Sequence, residues 1–142
     1  MNMTYTNKIT AEQYNGLRSA VGWFEVQKET VEKSFENSAF LIVANDKEVP
    51  VGMARVITDY GHIVFVVDVI VHPTYQGKGL GRAIMAKVMA HINQTISPGK
   101  AKLVNLMAAK GKEGFYKKLG FEERPNDTFG PGMTHRIISD TV

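Results

Sequence analysis

The sequence IVFVVDVIV, at positions 63–71, decides the fold. Eight of these nine residues are apolar and most are β-branched, a composition typical of a β-strand. Because the apolar residues do not alternate with polar ones, this strand is predicted to be central and covered by helices on both sides. Pro73 ends it. The one charged residue within it, Asp68, needs a partner, since a buried carboxylate is costly unless it is paired or hydrogen-bonded.

Strands and helices alternate on both sides of this strand. Thr10 is predicted to cap a helix that Gly22 ends, and residues 45–47 to form the turn of a hairpin. Strands are predicted at 3–9, 39–44, 49–58, 63–71 and 103–108, and helices after Thr10, at 28–37, from about 79 and at 114–119. One or two edge strands are expected to follow and to end near Ile138. Residues 1–142 are thus predicted to form one α/β (α+β) domain with about four helices around a mixed sheet.

Composition excludes several classes of protein. The 142 residues are 44% hydrophobic and 22% charged, which excludes a disordered or fibrous chain. Cysteine is absent, so disulfides, thiolate nucleophiles and zinc–thiolate sites are excluded, and no metal site is predicted. No apolar run approaches the length of a membrane span, and residues 1–10 lack the apolar core of a signal peptide. A cytoplasmic protein without a membrane partner is therefore predicted.

Charge is distributed unevenly along the chain. The net charge of +3 divides into −3 for residues 1–75, +7 for 76–124 and −1 for the remainder. A basic second half favours a polyanionic ligand. For any single lysine, however, the simpler explanation is that it lies solvated on an exposed helix face. Nucleic acid is not predicted as a partner, because only three aromatic residues accompany this charge and no nucleic-acid motif does.

The most informative segment is QGKGLGR, residues 76–82, which follows the buried strand and opens a helix. Glycines allow a tight turn and a close approach of ligand to backbone amides. The first turn of a helix presents unpaired N–H groups and a positive dipole end, so the segment suits a phosphate. It lacks the spacing of a nucleotide P-loop and of the dinucleotide fingerprint. The alternative is a tight turn without a ligand.

Two ordered motifs resemble those of a known family. The segment VIVHPTYQGKGLG, residues 69–81, resembles the acetyl-coenzyme A signature of the GNAT N-acetyltransferases, in which Val-x-Pro precedes [Gln/Arg]-x-x-Gly-x-[Gly/Ala]. About 40 residues later, GFYKKLGF at 114–121 is similar to the family's FYxxLGF segment. The stretch from Phe40 to Thr58 fits the family's preceding hairpin. The first motif is also similar to that of plant-type serotonin acetyltransferases.

The resemblance implies that two central strands splay apart and that acetyl-coenzyme A lies in the gap. Strand residues Val69, Ile70 and Val71 would lie along the pantetheine arm, whose amides satisfy the exposed backbone groups of the splay. Asn105 on the next strand would contact that arm or an ordered water, or is simply an edge amide. The pyrophosphate would be held by Gln76, Gly77, Lys78, Gly79, Leu80, Gly81 and Arg82. The family also implies a homodimer through the C-terminal strands.

Acetyl transfer to an amine needs a neutral amine, a polarised carbonyl and a stabilised leaving thiolate. By resemblance, Tyr116 contacts the cofactor and is the acid that protonates the thiolate; the alternative is a core aromatic residue beside Phe115. Asp68 is either a base, acting directly or through water, or a structural carboxylate bonded to backbone or to a basic residue. If Val67 and Val69 face the substrate, strand alternation turns Asp68 away from it.

The predicted function is transfer of an acetyl group from acetyl-coenzyme A to a primary amine of a small molecule or peptide by direct attack. The family pattern places Trp23, Phe24 and Glu25 on the acceptor wall, although Trp23 can equally be core packing. A non-catalytic acyl-coenzyme A binding or sensing domain is the alternative. Tyr116 favours the enzyme, because a sensor needs no acid for a leaving group. The identity of the amine stays open, since a fold does not determine a substrate.

Overall fold

The computed structural model describes residues 2–139, in which five strands and four helices follow one another along the chain. Residues up to Leu106 form one compact unit, and those from Met107 onward form a second. The strands are β1 (Met3–Thr6), β2 (Phe40–Asp46), β3 (Val49–Thr58), β4 (Ile63–Val71) and β5 (Leu103–Leu106). The helices are α1 (Ala11–Ala20), α2 (Lys28–Glu36), α3 (Leu80–Gln94) and α4 (Glu113–Lys117), with a 3-10 turn at Pro73–Tyr75. The α/β class, the mixed sheet and the four helices are as predicted.

The sheet has the order β1-β2-β3-β4-β5. Neighbours from β1 to β4 are antiparallel, whereas β4 and β5 are parallel, which makes the sheet mixed. The β2–β3 hairpin turns at Lys47 and Glu48, whose φ angles of 49° and 69° suit a two-residue turn of the type that matches strand twist. The predicted hairpin is therefore confirmed, although its turn, expected at 45–47, lies at 47–48.

Helices pack on both faces of the sheet. Adjacent residues of β3 show this, because Met53 packs in a core cluster with Tyr14 and Leu17 of α1, whereas Gly52 faces Leu80 and Ile84 of α3. Side chains of successive strand residues point to opposite faces, so α1 and α3 cover opposite sides. The buried residues of α3 follow the predicted helical spacing: Leu80, Ile84, Met85, Val88 and Ile92.

Strand β4 differs from the prediction in one respect. It lies next to the end of the sheet within the described residues, and only Val64, Val66 and Ile70 are buried. Its remaining residues are half-buried or exposed, and pairing with β5 ends at Val66. The continuous apolar run therefore reflects an edge that is open over half its length, rather than a strand covered on all sides.

The prediction of one or two edge strands near the C-terminus is wrong for the described residues. Residues 121–139 contain no strand, and β5 ends two residues earlier than expected. Pro125 and Pro131 lack the N–H that a sheet ladder needs. Local bonds form instead: the N–H of Asn126 donates to the carbonyl of Phe129, and Arg124 Nε donates to that of Gly130.

Close packing between β3 and α3 predicts a stability effect. A Cβ at Gly52 would lie 2.8 Å from Ile84 Cδ1 and 3.2 Å from the Ile70 carbonyl oxygen. Because Ile84 is fully buried, overpacking by Gly52→Val is expected to lower the free energy of unfolding by about 1–3 kcal/mol. Gly16→Ala, in α1 with open space around it, is the control and should raise it by about 0.5–1 kcal/mol. Urea denaturation measures both; a neutral Gly52→Val would contradict the packing.

Candidate active site

The glycine-rich loop adopts the backbone that a phosphate cradle requires. Gly77 and Gly79 have φ angles of 75° and 84°, in the left-handed region that side chains disfavour. A Cβ at either position would meet open space, so a ligand can approach both amides. Helix α3 begins at the next residue, Leu80, and its first-turn N–H groups have no partner within the helix. With the positive end of the helix dipole, these groups fit a diphosphate.

Three side-chain contacts hold this loop in place. Gln76 Nε2 donates to the Val71 carbonyl at 2.9 Å, so that the side chain of Gln76 stabilises the loop itself. The Tyr75 hydroxyl donates to Asp46 at the β2–β3 turn, a bond that raises the pKa of Tyr75. The ammonium of Lys78 lies 5.7 Å from the centre of the Tyr75 ring. The loop is therefore anchored to the sheet before any ligand binds.

The strand that leads into the loop has an open edge. Pairing with β5 covers Ile63–Val66, and the rest of β4 has no β5 partner. The N–H of His72 donates to Val51 of β3 at 2.8 Å. Because an antiparallel ladder alternates, the backbone groups of Val71 then point away from β3, toward the open edge, where the carbonyl accepts from Gln76 Nε2. This is the geometry that an amide-bearing arm can pair with as an added strand.

Asn105 lies in the paired part of the sheet rather than beside the open edge. Its register partner is Phe65, and its Nδ2 donates weakly to the Leu103 carbonyl at 3.4 Å. The structure thus places Asn105 next to the start of the gap, with a half-buried side chain.

A β-bulge in β4 marks the point where the edge opens. Met53 pairs with Ile70 and Arg55 with Val67, so Ala54 of β3 faces two residues of β4, namely 68 and 69. Asp68 has a φ of 52°, a left-handed backbone in a residue other than glycine. An extra residue in one strand bends that strand and changes which backbone groups face the partner. The bulge therefore separates the paired half of β4 from the open half.

The Asp68 carboxylate accepts three hydrogen bonds from partners far apart in sequence. Arg55 Nε lies at 2.8 Å, the Tyr14 hydroxyl at 2.9 Å and Arg18 Nη1 at 3.4 Å. The side chains of Asp68, Arg18 and Arg55 are only 9–13% exposed. Burial and the neighbouring Asp68 carboxylate raise the pKa of Tyr14, so its hydroxyl stays protonated as a donor.

Sequence analysis found Asp68 but missed its three partners. A signal for one of them existed, because Arg55 interrupts an otherwise apolar strand as Asp68 does. Opposite charges within neighbouring buried strands predict a pair. The sequence pattern does not mark Tyr14 or Arg18 as partners of Asp68. In an amphipathic helix, Tyr14 is expected to be an ordinary core residue and Arg18 an ordinary exposed one.

Tyr116 lies in the second compact unit, on α4. It is buried, and its ring makes edge contacts with Phe115 and Phe121, with centroid distances of 4.9 and 5.9 Å. Burial raises the pKa of Tyr116, so its hydroxyl remains protonated at neutral pH. Gly120, with a φ of 97°, ends this segment in the left-handed conformation typical of a helix C-terminus.

Among the side-chain bonds and ring contacts of the described residues, two histidines, His72 and His91, make contacts only within their own surroundings. His72 Nδ1 accepts the N–H of Thr74, and the His91 ring stacks on Phe40. Within residues 2–139, no three His, Asp or Glu side chains are grouped so as to hold a metal ion. None of the helices described there has the length and apolar character needed to cross a membrane.

The mixed sheet, the open edge of β4 and the glycine-rich start of α3 are the features that the resemblance to the GNAT N-acetyltransferases implies. The profile of the acetyltransferase (GNAT) domain family matches residues 36–123. The chain belongs to this family and is an N-acetyltransferase. Members of the family use acetyl-coenzyme A as co-substrate and acetylate amines of small molecules or peptides. The predicted resemblance is confirmed.

Individual relatives agree with this assignment. The chain is 30% identical over 132 residues to ycf52 of Porphyra purpurea, named an uncharacterized N-acetyltransferase, with 90% of this chain and 74% of that protein covered. It is 32% identical over 117 residues to serotonin N-acetyltransferase 2 of Oryza sativa, described as chloroplastic, with 79% and 56% covered. The structure of a probable acetyltransferase from Staphylococcus aureus superposes with a TM-score of 0.82 at 30% identity, covering 94% of this chain and 99% of that one.

Glycine at position 79 is expected to be essential for binding of the thioester. In Gly79→Val, a β-branched residue must adopt a φ of 84° and its side chain fills the space above the loop amides. We expect the dissociation constant for acetyl-coenzyme A, measured by isothermal titration calorimetry, to rise at least tenfold.

Gly99→Val is the matched control, because Gly99 has a similar φ of 77° and open space but lies between α3 and β5. Both variants carry the same backbone strain, so both should lose similar thermal stability. Equal affinity of the two variants for acetyl-coenzyme A would contradict the phosphate cradle.

Proposed function

We propose that this N-acetyltransferase binds acetyl-coenzyme A along the open edge of β4 and transfers the acetyl group to a primary amine by direct attack. The observation that carries the proposal is the continuity of two features on one strand. The open edge at Val69–Val71 runs directly into the glycine loop, so a ligand with an amide arm and a diphosphate matches both.

The donor-binding residues in this proposal follow from that match. Backbone groups of Val69, Ile70 and Val71 line the pantetheine arm, and an N–H of this segment polarises the acetyl carbonyl. The diphosphate is held by the backbone of Gln76, Gly77, Lys78, Gly79, Leu80, Gly81 and Arg82. Asn105 contributes from the start of the gap.

Asp68 has a structural role in the proposal rather than that of a base. Its carboxylate is occupied by Arg55, Arg18 and Tyr14, all of which donate to it. Both carboxylate oxygens are therefore already hydrogen-bonded, Oδ2 to Arg55 and Tyr14 and Oδ1 to Arg18. The contacts therefore favour the second of the two roles that the sequence left open, a carboxylate paired with basic residues.

Tyr116 is proposed as the acid that protonates the departing thiolate. Its motif position supports this role, and its raised pKa keeps the hydroxyl protonated, so that it is available as a proton donor. The non-catalytic binding or sensing alternative has no use for such a group. The homodimer stays a prediction, but residues 121–139 hold no strands through which it was expected to form. The cytoplasmic location also stays a prediction; relatives from Arabidopsis thaliana and Oryza sativa are described as chloroplastic.

The proposed function is tested by coenzyme A release from acetyl-coenzyme A across a panel of amines. The panel contains serotonin and simpler arylalkylamines, a polyamine, an amino sugar, and peptides with a free N-terminus or lysine. We expect turnover with at least one primary amine and none with its N-acetylated counterpart. Tight binding of acetyl-coenzyme A without release on any amine would instead support a binding domain.

Loss of the Tyr116 hydroxyl is expected to affect turnover and not binding. Tyr116→Phe should lower kcat about 100-fold and leave the dissociation constant for acetyl-coenzyme A unchanged. Because burial raises the pKa of Tyr116, the wild-type kcat should hold up to about pH 10 and fall only above it. Steady-state kinetics across pH provides the measurement.

Tyr60→Phe is the matched control, since Tyr60 is 78% exposed and the change removes the same atom. It should leave both kcat and its pH profile as in the wild type. If Tyr116→Phe behaves like this control, the acid is another group or water.

A further inference from the structure

Arg18, in the last turn of α1, bridges two parts of the molecule. Its Nη1 donates to Asp68 at the bulge of β4, at 3.4 Å, and its Nε donates to the Phe24 carbonyl at 2.8 Å. One planar guanidinium group thus joins the bulge to the segment between α1 and α2. That segment, Trp23–Val26, is called the α1–α2 loop here.

The α1–α2 loop is held by two residues of α1 one turn apart. Asn15 forms a reciprocal pair with Val26, donating through Nδ2 at 2.8 Å and accepting its N–H at 2.9 Å. Arg18 fixes the other end, and its guanidinium carbon lies 5.3 Å from the Trp23 ring centre and 5.7 Å from that of Phe24. The Phe24 side chain is 71% exposed, so the loop presents an aromatic surface outward.

Arg55 shares the same carboxylate but has different neighbours. Its Nη1 donates to Ser38 Oγ at 3.0 Å, and its guanidinium carbon lies 5.9 Å from the Phe35 ring centre. These contacts are to α2 and the residues after it, away from the α1–α2 loop. Asp68 therefore has one arginine that reaches that loop and one that does not.

We propose that Arg18 is a positioning residue for the acceptor amine, which sets the α1–α2 loop at a fixed distance from the bulge. The inference rests on the proposed function, in which the acetyl carbonyl lies at the open edge beside that bulge. An amine that attacks the acetyl carbonyl at this edge lies next to the α1–α2 loop, because Arg18 joins that loop to the bulge. A misplaced loop therefore weakens use of the acceptor while the edge and the glycine loop still bind the thioester.

The test compares Arg18→Lys with Arg55→Lys. Both keep the positive charge beside Asp68, but a lysine has no planar fork with which to bond Asp68 and the Phe24 carbonyl together. For Arg18→Lys we expect the KM for the amine to rise about tenfold, with the dissociation constant of acetyl-coenzyme A within twofold of wild type. For Arg55→Lys, the KM for the amine should change less than threefold.

Fluorescence supplies a readout that does not depend on turnover. Trp23 is the only tryptophan of the chain, so its emission reports on the α1–α2 loop directly. Arg18→Lys should increase the quenching of Trp23 by acrylamide about twofold, whereas Arg55→Lys should leave it unchanged. Arg18→Met, which lacks charge and fork, should match Arg18→Lys in both amine KM and quenching.

The possible outcomes separate this inference from the proposed function. Unchanged Trp23 quenching in Arg18→Lys, or an equal shift of amine KM in the two lysine variants, overturns the positioning role. Wild-type kinetics in Arg18→Lys with a defect only in Arg18→Met overturns it as well, because charge alone would then suffice. A wild-type protein that binds acetyl-coenzyme A and acetylates no amine overturns the proposed function, and the fluorescence result still decides whether Arg18 sets the loop.

Discussion

The nearly buried Asp68 carboxylate belongs to a residue with a left-handed backbone within strand β4. The position of the β-bulge, and with it the open edge of β4, depends on this carboxylate. Such a backbone costs about 1–2 kcal/mol in a residue other than glycine, and a buried carboxylate costs more unless it is paired. Donors from α1 and β3 offset both costs. Because the carboxylate is fixed to two other elements, the extra residue of β4 stays at this point and the ladder cannot slip.

The bulge and the glycine loop each leave backbone groups free for a ligand, the first along β4 and the second at the start of α3. Ordinary sheet pairing would consume the backbone groups of β4, and pairing with β5 does so as far as Val66. Beyond the bulge, the alternation inferred from the His72–Val51 bond turns the backbone groups of Val71 toward the gap. Eight residues after Val71, Gly79 takes a φ that only glycine adopts freely and starts α3. An extended ligand with amides at one end and phosphates at the other therefore meets complementary groups in order.

Local sequence predicted those parts of the site whose physics is local. A run of apolar residues predicts β4, apolar residues at every fourth position predict α3, and the glycines predict the turn between them. Each element could therefore be placed without knowing what it packs against. The network around Asp68 joins residues up to 54 positions apart, and no local pattern marks Tyr14 or Arg18 as its members. The C-terminal segment was predicted wrongly for the related reason that an apolar run near Ile138 indicates a strand only if a partner edge is available. Prolines and local bonds in residues 121–139 favour turns instead.

The charge balance around Asp68 also limits how the amine loses its proton. One carboxylate faces two guanidinium groups, and all three are nearly buried. In the proposed function Asp68 is therefore an anchor for the bulge rather than a base, because its oxygens already accept hydrogen bonds from Arg55, Arg18 and Tyr14. In the proposed function, the amine therefore loses its proton to water rather than to Asp68, and Tyr116, whose raised pKa keeps its hydroxyl protonated, is the donor to the departing thiolate.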